Sequence, residues 1–275
     1  MTIFDYEFMR NAFAAATIVA LVAGAIGYFL VLRGETFAGH ALSHVGFSGA
    51  TGAVLVGISP LVGLTAFTVL AGLGISLIGE KAHRDVAIGL VLTVSLGLGL
   101  LFLHYYTSYA GMATNLLFGN VLGISQETVW ILLGMAVVTL AGLAVISRPL
   151  LFASLQPELA EARGVPIGRL SAIFMVIVAL ATAQAIQIVG ILLVFALMVA
   201  PAATALRLTR RFATGMALSI GLAVAIAWIS LLLAYFTDWP TSFWITALGG
   251  LIYLGSRFLR TRSLPAPSPH SGTGA

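Results

Sequence analysis

Residues 155–166 read Leu-Gln-Pro-Glu-Leu-Ala-Glu-Ala-Arg-Gly-Val-Pro and form the one long polar interruption in an otherwise oily chain. Pro157 stands where a first helical turn tolerates proline, Glu158 and Glu161 favour the positive N-terminal end, and Gly164 followed by Pro166 supplies a stop. The stretch predicts a short helix of about two turns outside a bilayer. It is either an ordinary surface connection between two spans or a docking element.

The surrounding chain sets the solvent. Its 275 residues are 60% hydrophobic and 8% charged, with a mean hydropathy of +1.09. A soluble globule carries about a quarter of its residues as charges. The chain is therefore expected to be all-α, a polytopic membrane bundle with no nucleic-acid partner, its basic pI explained by topology. It contains no cysteine, which excludes disulfides and thiolate metal sites.

A bilayer core is crossed by about 20 apolar residues, and the polar breaks delimit about nine spans. They fall near Ala12–Leu32, Thr36–Ile58, Leu61–Gly79, Val86–Tyr106, Thr128–Ile146, Leu170–Gln187, Ile188–Leu206, Phe212–Phe236 and Ser242–Phe258. Ala12–Leu32 is too long for a signal-peptide core and reads as a retained span. The uncharged run Leu170–Leu206 is read as a hairpin turning near Gln184–Gly190.

On this division every lysine and arginine except Arg10 lies on one side. The positive-inside rule makes that side cytoplasmic, with the N-terminus outside, the C-terminus inside and the 155–166 loop in the cytoplasm. The outer segment Tyr109–Ser125 is apolar enough for an interfacial or re-entrant helix. Tyr105, Tyr106, Tyr109, Trp130, Trp239 and Trp244 sit where an outer aromatic belt would. Residues 1–262 read as a single transmembrane domain, and 263–275, with three prolines and two glycines, as a disordered cytoplasmic tail.

No phosphate-binding Gly-x-x-x-x-Gly-Lys-Ser/Thr motif occurs, and neither a nucleophile–base pair nor paired carboxylates can be assembled. Catalysis and a tightly bound cofactor are not expected. The polar constellation of interest is Gly39-His40-Ala-Leu-Ser43-His44. Histidines four apart share a helical face and can serve a common pore or metal, or simply hydrogen-bond at the interface. Ser48 continues the His44 face. His83 reads as a solvated loop residue, His104 as an interfacial anchor and His270 as part of the tail. Gln184 and Gln187 flank the expected outer turn as a candidate gate, and Pro201 should kink or break the seventh span. Outside, Asp5, Glu7, Glu127 and Asp238 outnumber Arg10 and favour an approaching cation.

Four stretches together resemble a known family. They are Ala38-Gly-His-Ala-Leu-Ser-His44; Leu117-Phe-Gly-Asn120 with Ile124-Ser125; Pro157-Glu-Leu-Ala160 with Gly164-Val-Pro166; and Val189-Gly-Ile-Leu-Leu-Val194 running into Pro201-Ala-Ala-Thr204. In order and spacing they resemble the permease subunits of metal-ion ABC importers, which take up zinc, manganese or iron in bacteria. The resemblance implies a homodimer of permeases in the inner membrane, two cytoplasmic ATPases and an extracytoplasmic metal-binding protein. It makes 155–166 the coupling helix, with Pro157, Glu158, Ala160 and Gly164 as docking determinants, and His40 and His44 pathway ligands for the transported ion.

The family's usual Asp before Ala-Leu-Ser-His is His40 here, and its usual Asp before Pro-Glu is Gln156. Imidazole suits zinc and oxygen suits manganese, so the first change leans toward zinc. Manganese, iron or an iron chelate remain alternative cargoes. A secondary transporter driven by an ion gradient would place Asp or Glu in mid-span, and none lies there.

Overall fold

The computed structural model describes residues 5–78, 84–105, 118–191 and 193–260. Lys81, His83, Tyr106, Tyr109 and the tail from 263 onward lie outside the described residues, as does most of the expected re-entrant segment. Ten α-helices appear: α1 Glu7–Leu32, α2 Thr36–Leu55, α3 Pro60–Ile78, α4 Arg84–His104, α5 Gln126–Leu155, α6 Pro157–Ala162, α7 Ile167–Val189, α8 Val194–Leu208, α9 Phe212–Thr237 and α10 Thr241–Arg260. A 3-10 turn, Val121–Gly123, precedes α5.

Local chemistry explains the boundaries. Pro60 and Pro157 open α3 and α6, where a missing N–H costs nothing. Ser125 accepts from the Thr128 N–H at 3.2 Å and caps α5. Gly34, at φ 69°, turns the chain from α1 into α2.

The all-α expectation holds, and so do nine helices in the expected order besides the short α6. Six of them, α1, α3, α4, α5, α7 and α9, have both the length and the apolar composition to cross a membrane. Three boundaries differ from the sequence reading. The first helix starts at Glu7, because a carboxylate is favourable in a first turn. The fifth runs on through Arg148 and Pro149 to Leu155, 30 residues in all, or about 45 Å. It thus outreaches a hydrocarbon core of about 30 Å.

The third difference is the hairpin. Gln184 and Gln187 lie within α7, which ends at Val189 with Gly190 at φ 79° as its C-cap, and the next helix opens at Val194. α8 then has only 15 residues and begins inside the bundle. Its second residue, Phe195, meets His40, whereas Val189 at the end of α7 receives the Ser242 hydroxyl at 3.2 Å.

α1 is the centre. It packs against α5, α7, α8 and α9, and 72% of its apolar window is buried. α2, α3 and α4 form a second group that reaches α1 mainly through α7. The corresponding windows of α3, α4 and α5 are only 22 to 28% buried, leaving broad apolar faces such as Leu70, Val94, Val138 and Val145 outward. Such faces suit a lipid solvent. There, helix association rests on close packing and on hydrogen bonds between helices.

Both devices are present. A Cβ added at Gly27 would collide with the Met198 carbonyl oxygen, and one added at Gly49 or Gly63 would collide with the other glycine's carbonyl oxygen. Ser219 donates to the Gly24 carbonyl at 2.7 Å, and the Trp228 indole to Thr17 at 2.8 Å. Ser48 donates to the Ser95 carbonyl, pinning α2 to α4. Gly27→Ala must push the α8 backbone away and should cost about 2 kcal/mol, read as a lower unfolding temperature in detergent. Gly221→Ala, where an added Cβ meets nothing within 4 Å, should leave it unchanged.

Candidate functional site

α2 places His40 and His44 one turn apart on the same face. The two rings meet edge to face, with centroids 4.8 Å apart, and the His40 ring meets Phe195 in the same manner at 5.4 Å. Both imidazoles are half-buried. Other faces of α2 are committed to packing, Gly46 against Ile186 and Leu64, and Gly49 against Gly63. The histidine face instead meets the start of α8, beside a cavity of about 230 Å³ lined by Thr36, Phe37, His40 and Phe195.

The expected pair is therefore brought together. Ser43, expected on a neighbouring face, is fully buried and donates to the His40 carbonyl at 2.7 Å, while Ser48 is used in packing. Among the described residues no three His, Cys, Asp or Glu side chains cluster in a metal-binding arrangement. Two imidazoles are an incomplete ligand set. On their own they offer a cation two nitrogen donors, with its remaining positions open to water or a second partner.

Gln184 is fully buried inside α7, five residues before its end, rather than at a turn. Its amide donates to Thr139 of α5 at 2.9 Å and to the Leu180 carbonyl at 3.2 Å. It ties two helices together, a place that hydropathy could not distinguish from a turn in an uncharged run. Gln187 lines a cavity of about 470 Å³ together with Ser59, Asn120, Glu127 and Ile186. Pro201 is buried inside a continuous α8, neither breaking it nor opening a loop. Thr204 donates to the Ala200 carbonyl at 2.8 Å in the same turn.

The 155–166 segment forms the expected short helix. Pro157 occupies its first turn, Glu158 and Leu159 point outward, and Gly164 sits at φ 77°, a conformation that favours glycine. Ala160 departs from the expectation. It is fully buried against the chain's own fold, so it seats the helix instead of offering contact surface. Arg163 lies over the Phe152 ring at 5.9 Å, holding the helix to the end of α5.

Sequence reasoning missed Phe195, which closes the histidine site, and a second polar centre at Arg33. The Arg33 guanidinium forms a fork with the Glu35 carboxylate at 3.0 and 3.1 Å and also donates to Ser171 at 2.8 Å. The only signal for it was a pair of opposite charges on either side of Gly34.

A family profile described as "ABC 3 transport family" matches residues 5–260. The chain is 33% identical over 209 residues to a "Manganese transport system membrane protein MntC" of Halalkalibacterium halodurans, covering 75% of this chain and 72% of that one. It is 30% identical over 257 residues to a "Manganese import system permease protein ScaB" of Streptococcus gordonii, covering 93% and 92%. Among solved structures it is similar to "PsaBC from Streptococcus pneumoniae in complex with Fab", with a TM-score of 0.84, 28% identity and 94% and 95% of the two chains covered.

The buried amide contact between α5 and α7 makes a direct prediction. Thr139→Val removes the acceptor for Gln184 and should lower unfolding free energy in detergent by about 1 kcal/mol, a typical value for a hydrogen bond between membrane helices.

Proposed function

We infer the function from one premise: this chain belongs to the ABC 3 transport family, which its residues 5–260 match. It is a multi-pass membrane permease of the metal ABC importer type. The finer reading is that it passes a divalent transition-metal ion inward after delivery by an extracytoplasmic binding protein, driven by ATP hydrolysis on separate cytoplasmic subunits. Two copies would form the membrane part, each a single domain over residues 1–262, with the N-terminus outside and the C-terminus in the cytoplasm of a bacterial inner membrane. The side assignment rests on the lysines and arginines gathered at one end of the helices.

The observation that carries the reading is the edge-to-face His40–His44 pair beside a cavity at the junction of α2 and α8. An ion met by two imidazoles is desolvated in part and still free to move on. Gln187 and Pro201 are then candidates for shaping access above and beside the pair, and Gln184 for keeping α5 and α7 in step. Glu158 and Gly164 are the proposed docking determinants, presented on an exposed helix to an ATPase groove.

For the cargo we favour manganese, because the relatives cited above are named for it. Zinc is the second reading, favoured by imidazole at position 40 where resembling permeases carry Asp. Uptake of radioactive Mn²⁺ and Zn²⁺, measured side by side in cells with and without the chain and with ATP depleted in parallel, separates them. An ATP-dependent Mn²⁺ defect on deletion is expected. A defect confined to Zn²⁺ would reverse the cargo assignment, and uptake indifferent to ATP would sink the importer reading.

His44→Ala should weaken apparent affinity for the imported ion about tenfold or more, the loss of about 1.4 kcal/mol of ligation. Glu158→Ala should leave the protein in the membrane while lowering uptake. Normal transport in the latter variant would remove the docking role of α6.

A further inference from the structure

Arg33 follows the last residue of α1 and stands three residues before α2 begins. Its pairing with Glu35 is local, across the Gly34 turn, and both side chains are largely withdrawn from solvent at 9% and 8% exposure. A fork withdrawn from water still leaves guanidinium donors to satisfy. Arg33 makes three further contacts, all on distant parts of the chain. It donates to Ser171 in α7 at 2.8 Å and to Ser154 in α5 at 3.4 Å, and it lies 5.3 Å over the ring of Phe174.

The placement of the two serines is the informative point. Ser154 lies in the last turn of α5 and Ser171 in the second turn of α7, so they bracket the exposed helix α6 from both sides. Ser154 donates its own proton to the Leu150 carbonyl at 2.5 Å, which leaves its oxygen lone pairs facing the guanidinium. On the other side of Arg33, Glu35 is the N-cap residue of α2, and His40 follows in the second turn. One charged group therefore contacts both flanks of the docking helix and the base of the helix that carries the histidines. A cavity of about 360 Å³ lined by Arg33, Glu35, Ser154, Pro157 and Ser171 adjoins it, so the ends of α5 and α7 have room to shift without rebuilding a packed core.

We propose that the Arg33–Glu35 pair is a positioning element that links displacement of the docking helix to the orientation of α2, with Ser154 and Ser171 as its two handles. This rests on the importer reading above. When α6 moves with its ATPase, Ser154 and Ser171 move with the helix ends that carry them. The guanidinium held to them then transmits the displacement through Glu35 to the His40 turn.

The test keeps the ion pair and removes only the handles. The complete transporter, purified with its ATPase and reconstituted into lipid vesicles with its binding protein, is assayed for Mn²⁺ and Zn²⁺ imported per ATP hydrolysed. Ser154→Ala together with Ser171→Ala removes two hydrogen bonds and should lower the unfolding temperature modestly, but it should lower that ratio about fivefold or more, the range of a typical coupling between sites, with hydrolysis and the amount of ATPase retained. Restoring the hydroxyls as Ser154→Thr with Ser171→Thr should recover most of it. Ser171→Ala alone, which removes the shorter contact, should give an intermediate ratio.

An unchanged ratio in the double alanine variant overturns the proposal. So does a fall in unfolding temperature with import and hydrolysis reduced together, which would assign the serines to folding alone. If the unaltered transporter imports neither ion, the importer reading itself fails, and that outcome is distinct from a failure of Arg33.

Discussion

The approach of α8 to α1 at Gly27 governs the arrangement of the rest. Apolar side chains gain nothing from leaving lipid for one another, so membrane helices hold together where their backbones come close and where polar groups reach across. At Gly27 the Met198 carbonyl occupies the space a side chain would need. That contact seats a helix of only 15 residues deep beside the central one. Because α8 starts there, Phe195 arrives against His40, and the histidine site exists.

A short α8 leaves the backbone at Gly190 outside any helix, and residues 119–125 carry only a 3-10 turn, so both stretches need hydrogen-bond partners that lipid does not offer. The bundle accommodates them by mutual coverage. Gly119, at φ 78°, packs against the Ile188 carbonyl and the Gly190 nitrogen, and Ser242 donates to the carbonyls of Phe118 and Val189. Asn120 accepts from the Gly123 N–H at 3.1 Å, and Asn11 donates to the Ile124 carbonyl at 3.3 Å. Among the described residues, the non-helical segments at this end of the bundle thus satisfy one another. The cavity reached by Gln187 and Glu127 lies among them.

Charge is concentrated where it can be solvated or paired. The exposed Glu158 and Arg163 belong to a helix outside the apolar spans, while Arg33 and Glu35 are withdrawn from water and satisfied by each other and by two serines. Glu35 is the N-cap residue at the base of α2, so the paired charges sit at the foot of the helix that carries the imidazoles. The imidazole at position 40 and the names of the manganese-associated relatives pull the cargo in different directions.

The sequence by itself determined the class of the protein, the order of its helices and the existence of α6. These follow from properties local in the chain: hydropathy over about 20 residues, proline at a first turn, glycine after a last one. The i, i+4 spacing also placed His40 and His44 on one face, because helix geometry is independent of what surrounds it. Only the tertiary structure decided what that face meets. The hairpin turn, read near Gln184–Gly190, falls at the late end of that range because Gln184 is as polar at a buried crossing as at a surface, and a 37-residue run without charge contains no marker of depth. Arg148 and Pro149 suggested an end that α5 does not have, since a helix that leaves the membrane need not stop there. Phe195 against His40, Ala160 turned inward and Arg33 reaching Ser154 and Ser171 all join residues more than a hundred apart in the chain or hidden by packing. No periodicity records such contacts, because they are fixed by which backbones can approach one another in lipid.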